Sequence, residues 1–241
     1  MTELKKINRY RSEDNDYWVN MKDKYKGKRG FIIGNGPSLL PEDLEALKNE
    51  ISIASNRIYL MYPKTNWRPT VYTIADSILW PKIKDEVKNL NETVHLPNYL
   101  KFEGSDNVKY WKSPFSIGGR KFSLDITEGA YGGHTVTYEN IQIAMYLGLN
   151  PIYLIGCDHN YPGEKDVTAG IAIKQGSEQT HFTKEYRVPG EKVLPASILN
   201  MEASYRAANQ VANEHGVEIF NATRGGRLDV FNRADLDKLV N

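Results

Sequence analysis

The chain has 241 residues, 31 Lys and Arg against 30 Asp and Glu, a formal net charge of +1 and one cysteine, Cys157. That length suits a single large α/β domain with a full core, and the balanced charge gives no global reason to expect nucleic acid, so any anion site is local. One cysteine forms no internal disulfide, no N-terminal stretch has signal-peptide character, and no apolar run reaches the ~20 residues of a membrane helix. A reducing cytoplasm is therefore expected.

Residues 1–29 are polar, with Lys22, Lys24, Lys26, Lys28 and Arg29 as a solvated basic face and Tyr17, Trp18 and Met21 as the apolar side of one amphipathic helix. They predict a helical extension ahead of a main domain over residues 30–241. Strands are expected at 30–33, 51–54, 70–74, 93–96, 152–155 and 217–220, which are short, β-branched and bounded by Gly, Pro, Asn or Asp. Helices are expected at 42–49, 81–89, 138–147 and 200–214, with Gly148 and Gly216 as stop signals just past the last two. This alternation predicts a Rossmann-like α/β domain, a mostly parallel sheet with helices on both faces. Two stretches break it. Residues 98–133 are rich in Gly, Ser and aromatics, and residues 161–199 form a long polar segment of the kind that serves as a lid or binding loop.

The chemistry-bearing residues follow the strands. Gly34-Asn35-Gly36-Pro37-Ser38 joins a strand to a helix start, a junction that offers backbone N–H groups to a phosphate; Gly34 and Gly36 allow positive φ and close approach, and Ser38 adds a hydroxyl. No Gly-Lys-Ser/Thr follows, so it is not a Walker A loop, and Leu39 replaces the third glycine of the dinucleotide fingerprint, which disfavours NAD. Asn56 and Asp76 fall just past the second and third strands, at the edge where open α/β sheets bind ligands, with helix capping as the competing role. Gly132-Gly133-His134-Thr135 is a second glycine turn before a helix, and Gly133 and Thr135 are candidate anion contacts. Asp158-His159 ends the 152–155 strand, and His181 in the following segment has the ordinary imidazole pKa near 6.5 that suits a general base. Neither the Asp158-His159 spacing nor the lone Cys157 forms a zinc motif. Arg224 and Arg227, past the last strand, could clamp a phosphate or occupy a solvated turn.

Gly-Asn-Gly-Pro-Ser-Leu at 34–39, Tyr146-Leu147-Gly148, and Ile152-Tyr153-Leu154-Ile155-Gly156-Cys157-Asp158, in this order, resemble one superfamily. Its branches are the bacterial sialyltransferases that use CMP-sugars and the 6-hydroxymethylpterin diphosphokinase MptE-like (DUF115) proteins, and the closest look is to MptE-like chains that accompany surface-polysaccharide genes. The sialyltransferase likeness implies a nucleotide held by Asn35, Gly36 and Asn56, a donor phosphate contacted by Tyr161, and His181 as base. In that case no cofactor is required beyond the CMP-sugar donor, and a glycan or lipid-linked acceptor completes the reaction. His159-Asn160 between Asp158 and Tyr161, and Gly132-Gly133-His134-Thr135 in place of Thr-Ser-Gly, depart from that branch. The pterin likeness implies instead ATP and Mg2+, with Asp76 and Asp158 as ligands. A catalytically silent nucleotide-sensing module is the third alternative; peripheral membrane association and homo-oligomerisation stay open.

Overall fold

In the computed structural model, residues 12–100, 102, 107–114, 120–161, 172–173, 180–187 and 189–240 are described. They form, in chain order, α1 (Ser12–Met21), β1 (Gly30–Ile33), α2 (Pro41–Ala46), β2 (Ile51–Ser55), a 3-10 stretch at Asn56–Lys64, β3 (Val71–Thr73), α3 (Trp80–Val87), β4 (Val94–Pro97) and β5 (Val108–Trp111). Then come α4 (Val136–Tyr146), β6 (Ile152–Ile155), β7 (Ala172–Ile173), a 3-10 turn at Lys184–Tyr186, β8 (Lys192–Val193), α5 (Ile198–Glu214), β9 (Ile219–Asn221), β10 (Asn232–Arg233) and α6 (Leu236–Val240).

Eight strands make one sheet in the order β10-β9-β6-β1-β2-β3-β4-β5, and every neighbouring pair is parallel. Successive residues of β1 point to opposite faces: Ile32 joins the core under α1, α4 and α5, whereas Phe31 and Ile33 join the core under α2 and α3. Both faces are thus covered, as the near-continuous apolar strands require. The chain runs outward from β1 to β5, returns to β6 on the other side of β1, and continues outward to β10. The reversal between β1 and β6 opens a crevice at their carboxyl ends, where ligands bind in such sheets.

Gly148 and Gly216 end α4 and α5 with φ of 79° and 68°, as the stop signals predicted. One expectation fails on the other side of the sheet. Residues 108–111, inside the stretch that broke the alternation, are the edge strand β5, a Val-Lys-Tyr-Trp run with three buried side chains. Their missing signal is supplied by α1: Trp18 is fully buried and its indole N–H donates to Tyr110 O at 2.8 Å. Of the expected lid at 161–199, β7 and β8 pair antiparallel and residues 180–187 are described, while 162–171, 174–179 and 188 lie outside the described residues.

Beside Trp18, His95 of β4 is buried, with Nδ1 3.0 Å from Tyr72 O and Nε2 2.7 Å from the Tyr17 hydroxyl. Burial pushes its pKa down to about 4, with Lys109 lowering it further and the Tyr72 bond opposing. The unfolded chain therefore takes up a proton that the folded one refuses as pH falls below the ordinary value near 6.5, so the stability held above that pH is lost between about 6.5 and 4. Urea unfolding at pH 7 and pH 4.5 is expected to show a loss in the wild type that His95→Gln reduces by about 2–3 kcal/mol; equal losses in both would contradict this assignment.

Candidate active site

The glycine turn after β1 is built differently from the expectation. Gly34 and Gly36 are absent from the residues with positive φ. They are needed because β6 passes too close for a side chain: a Cβ on Gly34 would lie 2.3 Å from Gly156 O, and one on Gly36 would lie 1.9 Å from Asp158 Oδ2. The amides expected to seat an anion bind β6 instead. Gly34 N–H donates to Ile155 O and Gly36 N–H to Gly156 O, both at 2.8 Å. Ser38 donates to Asp158 Oδ2 from its hydroxyl at 2.8 Å and from its N–H at 3.4 Å. A carboxylate of the chain itself thus occupies the seat, and α2, only six residues long, starts further on at Pro41.

Above this junction lies a cleft of about 480 Å3 whose floor is the carboxyl ends of β1, β2, β3 and β6 and whose walls are the start of α4, α5 and residues from 180–187 and 193–197. Gly34, Asn35, Gly36, Asn56, Asp76, Gly133, Thr135, Asp158, Tyr161 and His181 all line it, and Ser38 stands behind it through Asp158. Arg224 and Arg227 do not: Arg224 pairs with Asp43 and Asp237, each at 2.5 Å, and Arg227 lines a groove along α5.

Several of these side chains have structural partners. Asp76 Oδ1 caps the turn before α3, accepting from the Ile78 and Leu79 amides at 2.8 and 2.9 Å, and its Oδ2 lies 3.6 Å from Arg187. Thr135 is the N-cap of α4, accepting from Thr137 N–H at 3.3 Å. Asn35 donates from Nδ2 to Ser55 O at 3.1 Å, which fixes its side chain beside the end of β2. Asn56, the residue after β2, has φ of 56°, a left-handed conformation that asparagine tolerates better than most residues. The Oδ1 atoms of both asparagines are buried without a hydrogen-bond partner among the described residues.

The histidines take distinct positions. His181 stacks on Tyr186 with ring centroids 3.8 Å apart, and its Nδ1 lies 2.9 Å from Thr180 Oγ1. His159, with φ of 51°, is buried edge-on to Tyr161 and Tyr205, and its Nε2 lies 3.5 Å from Glu202. Burial lowers the His159 pKa against the opposing pull of Glu202, and burial and Arg120 lower that of His134. Burial raises the Asp158 carboxyl, and its Ser38 bonds work in the other direction.

Glu139, Arg187, Tyr99 and Tyr205 are among the lining residues that the sequence reading missed. Glu139 in the first turn of α4 is buried, with burial pushing its pKa up to about 8. Its signal was present: α4 is buried all round, so a carboxyl there has no water to face. Arg187, Tyr99 and Tyr205 also line the cleft, and only the fold brings them there. Arg187 belongs to an ion cluster around Glu191, whose carboxyl lies 3.1 Å from Arg57, 3.2 Å from Lys82 and 3.5 Å from Arg187. Burial alone would raise the Glu191 pKa, and these cations bring it below the ordinary value.

The two carboxylates that the pterin likeness assigns to Mg2+ are each engaged by protein groups, Asp158 by Ser38 and Asp76 by the α3 cap and Arg187. As placed they do not fit a magnesium site, which needs free carboxylate oxygens converging on one ion. Among the described residues no group of three or more His, Cys, Asp or Glu side chains is placed to hold a metal, and no helix is long and apolar enough to cross a membrane.

The interlock at β1 and β6 predicts a specific sensitivity. Gly36→Ala is expected to destabilise the protein by about 1–3 kcal/mol through overpacking against Asp158, and Ser38→Ala by about 1 kcal/mol through one lost hydrogen bond. Denaturant unfolding measures both, and a neutral Gly36→Ala would refute the packing role.

No curated protein matches the chain. Among solved structures, it is similar to the UDP-N-acetylglucosamine 4-epimerase from Bacillus cereus, with 11% identity, a TM-score of 0.28, and coverage of 81% of this chain and 52% of that one. The chain therefore spans about half the length of that protein, and a likeness so distant carries no argument. The family model described as 6-hydroxymethylpterin diphosphokinase MptE-like matches residues 3–164, about two thirds of the sequence, and the chain belongs to that family.

Proposed function

We propose that the protein is a cytoplasmic, metal-independent glycosyltransferase that moves an acidic sugar from a CMP-activated donor to a hydroxyl of a glycan or lipid-linked acceptor in surface-polysaccharide synthesis. One contact supports this reading above the others. Phe182 N–H donates to Asn35 O at 3.0 Å, which fastens the His181 segment directly to the glycine turn. That bond holds the His181 segment and Asn35 together at the switch point of the sheet, which is where this reading needs a base beside a nucleotide.

In this reading Asn35 and Asn56 hold the nucleotide, Gly36 keeps the turn beside them free of a side chain, and residues 180–187 and 193–197 act as the lid. His181, its ring steadied by Tyr186 and Thr180, takes the proton from the acceptor hydroxyl as the new C–O bond forms at the anomeric carbon. The bond between that carbon and the phosphate oxygen breaks, the electron pair leaves with CMP, and the Tyr161 hydroxyl donates to the departing phosphate. A lid over the cleft excludes water and so suppresses donor hydrolysis. The family's own description favours a second reading, diphosphate transfer from ATP to a hydroxymethylpterin.

Binding and turnover separate the two. CMP at about 100 times its dissociation constant is expected to stabilise the fold by roughly 2.7 kcal/mol in a thermal-shift series without added metal. His181→Ala is expected to lower transfer by about 10²–10⁴-fold while CMP affinity stays within about twofold. Absence of CMP binding together with chelator-sensitive binding of ATP would overturn the glycosyltransferase reading in favour of the diphosphokinase.

A further inference from the structure

Three cations and two carboxylates meet beside the cleft. Among the described residues, Arg57, Lys82 and Arg187 each pair with Glu191, and Arg187 also pairs with Asp76. Glu191 is taken at close range by the first two, Arg57 at 3.1 Å and Lys82 at 3.2 Å. Arg57 also donates to Tyr186 O and Lys82 to Lys192 O, so both fasten the chain on either side of Glu191. Arg187 is left over. Its Nη1 lies 3.5 Å from Glu191 Oε1 and is buried without a hydrogen-bond partner among the described residues, and its Nη2 lies 3.6 Å from Asp76 Oδ2.

We infer that Arg187 is the oxyanion clamp of the cleft, its Nη2 edge donating to an acid group of the donor, the sugar carboxylate or the phosphate. The inference rests on the proposal that the cleft holds a CMP-linked acidic sugar. Such a donor carries a negative charge on each of those groups, and Arg187 is the only Lys or Arg among the described residues that line the cleft. A guanidinium offers a planar fork that matches the paired oxygens of a carboxylate or a phosphate, and it does not lose its charge.

The guanidinium is open to the cleft on one side. Nη1 is turned to the buried Glu191, whereas Nη2 is turned to Asp76, a lining residue whose side chain keeps 16% exposure beside the 14% of Arg187. An oxyanion there breaks no hydrogen bond. Asp76 Oδ1 is held by the Ile78 and Leu79 amides, and Oδ2 stands beyond close hydrogen-bond range of Arg187. A mostly buried guanidinium in a cluster where cations outnumber carboxylates is a desolvation cost, and a bound anion offsets it. Arg187 follows Tyr186, against whose ring His181 is stacked, so the clamp and the proposed base share one short stretch of the chain.

Calorimetry of wild type, Arg187→Met and Arg187→Lys against cytidine, CMP, CMP-sialic acid and the carboxyl methyl ester of CMP-sialic acid tests this. CMP differs from cytidine by the phosphate, and CMP-sialic acid from its ester by the carboxylate charge, so the two pairs separate the two sources. Wild type is expected to prefer the charged member of at least one pair by about tenfold or more, and Arg187→Met to level that same pair. Arg187→Lys, which keeps the charge and loses the fork, restores part of the preference. Because Glu191 keeps Arg57 and Lys82, unliganded Arg187→Met is expected to melt within about 3 °C of wild type. No preference in either wild-type pair, or preferences that survive unchanged in Arg187→Met, would overturn the inference while leaving a nucleotide site intact. A much larger fall in the melting temperature of Arg187→Met with both preferences kept is the result of a purely structural role, and it overturns the inference too. Failure of all four ligands to bind wild type would overturn the nucleotide reading and the inference with it.

Discussion

The end of β6 presses against the turn after β1 so closely that no side chain fits at Gly34 or Gly36. The β1–β6 lip of the cleft is placed by that contact. The amides of Gly34 and Gly36, and Ser38 through its amide and hydroxyl, are fastened to Ile155, Gly156 and Asp158. The two central strands therefore share one rigid lip, and Asn35 is held on it with its carbonyl bound to Phe182 and its amide to Ser55. Gly226, with φ of 75°, brings the loop after β9 against the other side of Asp158, where Arg227 N–H donates to Asp158 O at 2.7 Å. Asp158 is thus gripped from two elements, and its role is to organise the lip that other residues use.

Much of this was legible in the sequence. Short β-branched runs alternating with helix patterns, and the glycines at 148 and 216, signal the parallel sheet locally, because each element carries its own periodicity and stop residue. The strand-end rule also brings Asn56, Asp76, Asp158 and the glycine turn to one edge from the sequence alone. What each residue does there was not legible, since a glycine needed for a positive φ and one needed for close packing are the same letter. Ser38 likewise looks like a ligand contact until its partner Asp158 is known, 120 residues away; Asp76 takes the local capping role that the sequence offered as the alternative, and only its contact with Arg187, 111 residues on, needed the fold. The edge strand β5 was hidden for a related reason: its stability comes from Trp18, far away in the chain. Glu139 was overlooked because a single acid in a helix ordinarily faces water.

Among the described residues, the acidic charges at the cleft are matched or muted. Asp76 is matched by Arg187, Glu191 sits among three cations, and burial keeps Glu139 neutral near pH 7 while lowering the pKa of His159. Strain is concentrated in the same place: Asn56, His134 and His159 all have positive φ and all line the cleft. Non-glycine residues held there cost about 1–3 kcal/mol each, and such costs gather at sites where geometry serves a ligand.

The most direct test of this account is a crystal structure of the protein with CMP. The account predicts the nucleotide in the β1–β6 crevice beside Asn35 and Asn56, its phosphate toward Tyr161, and residues 180–187 and 193–197 closed over it with His181 beside it. A nucleotide seated outside the β1–β6 crevice, or one whose phosphate displaces Asp158 from Ser38 to occupy the glycine turn, would contradict it.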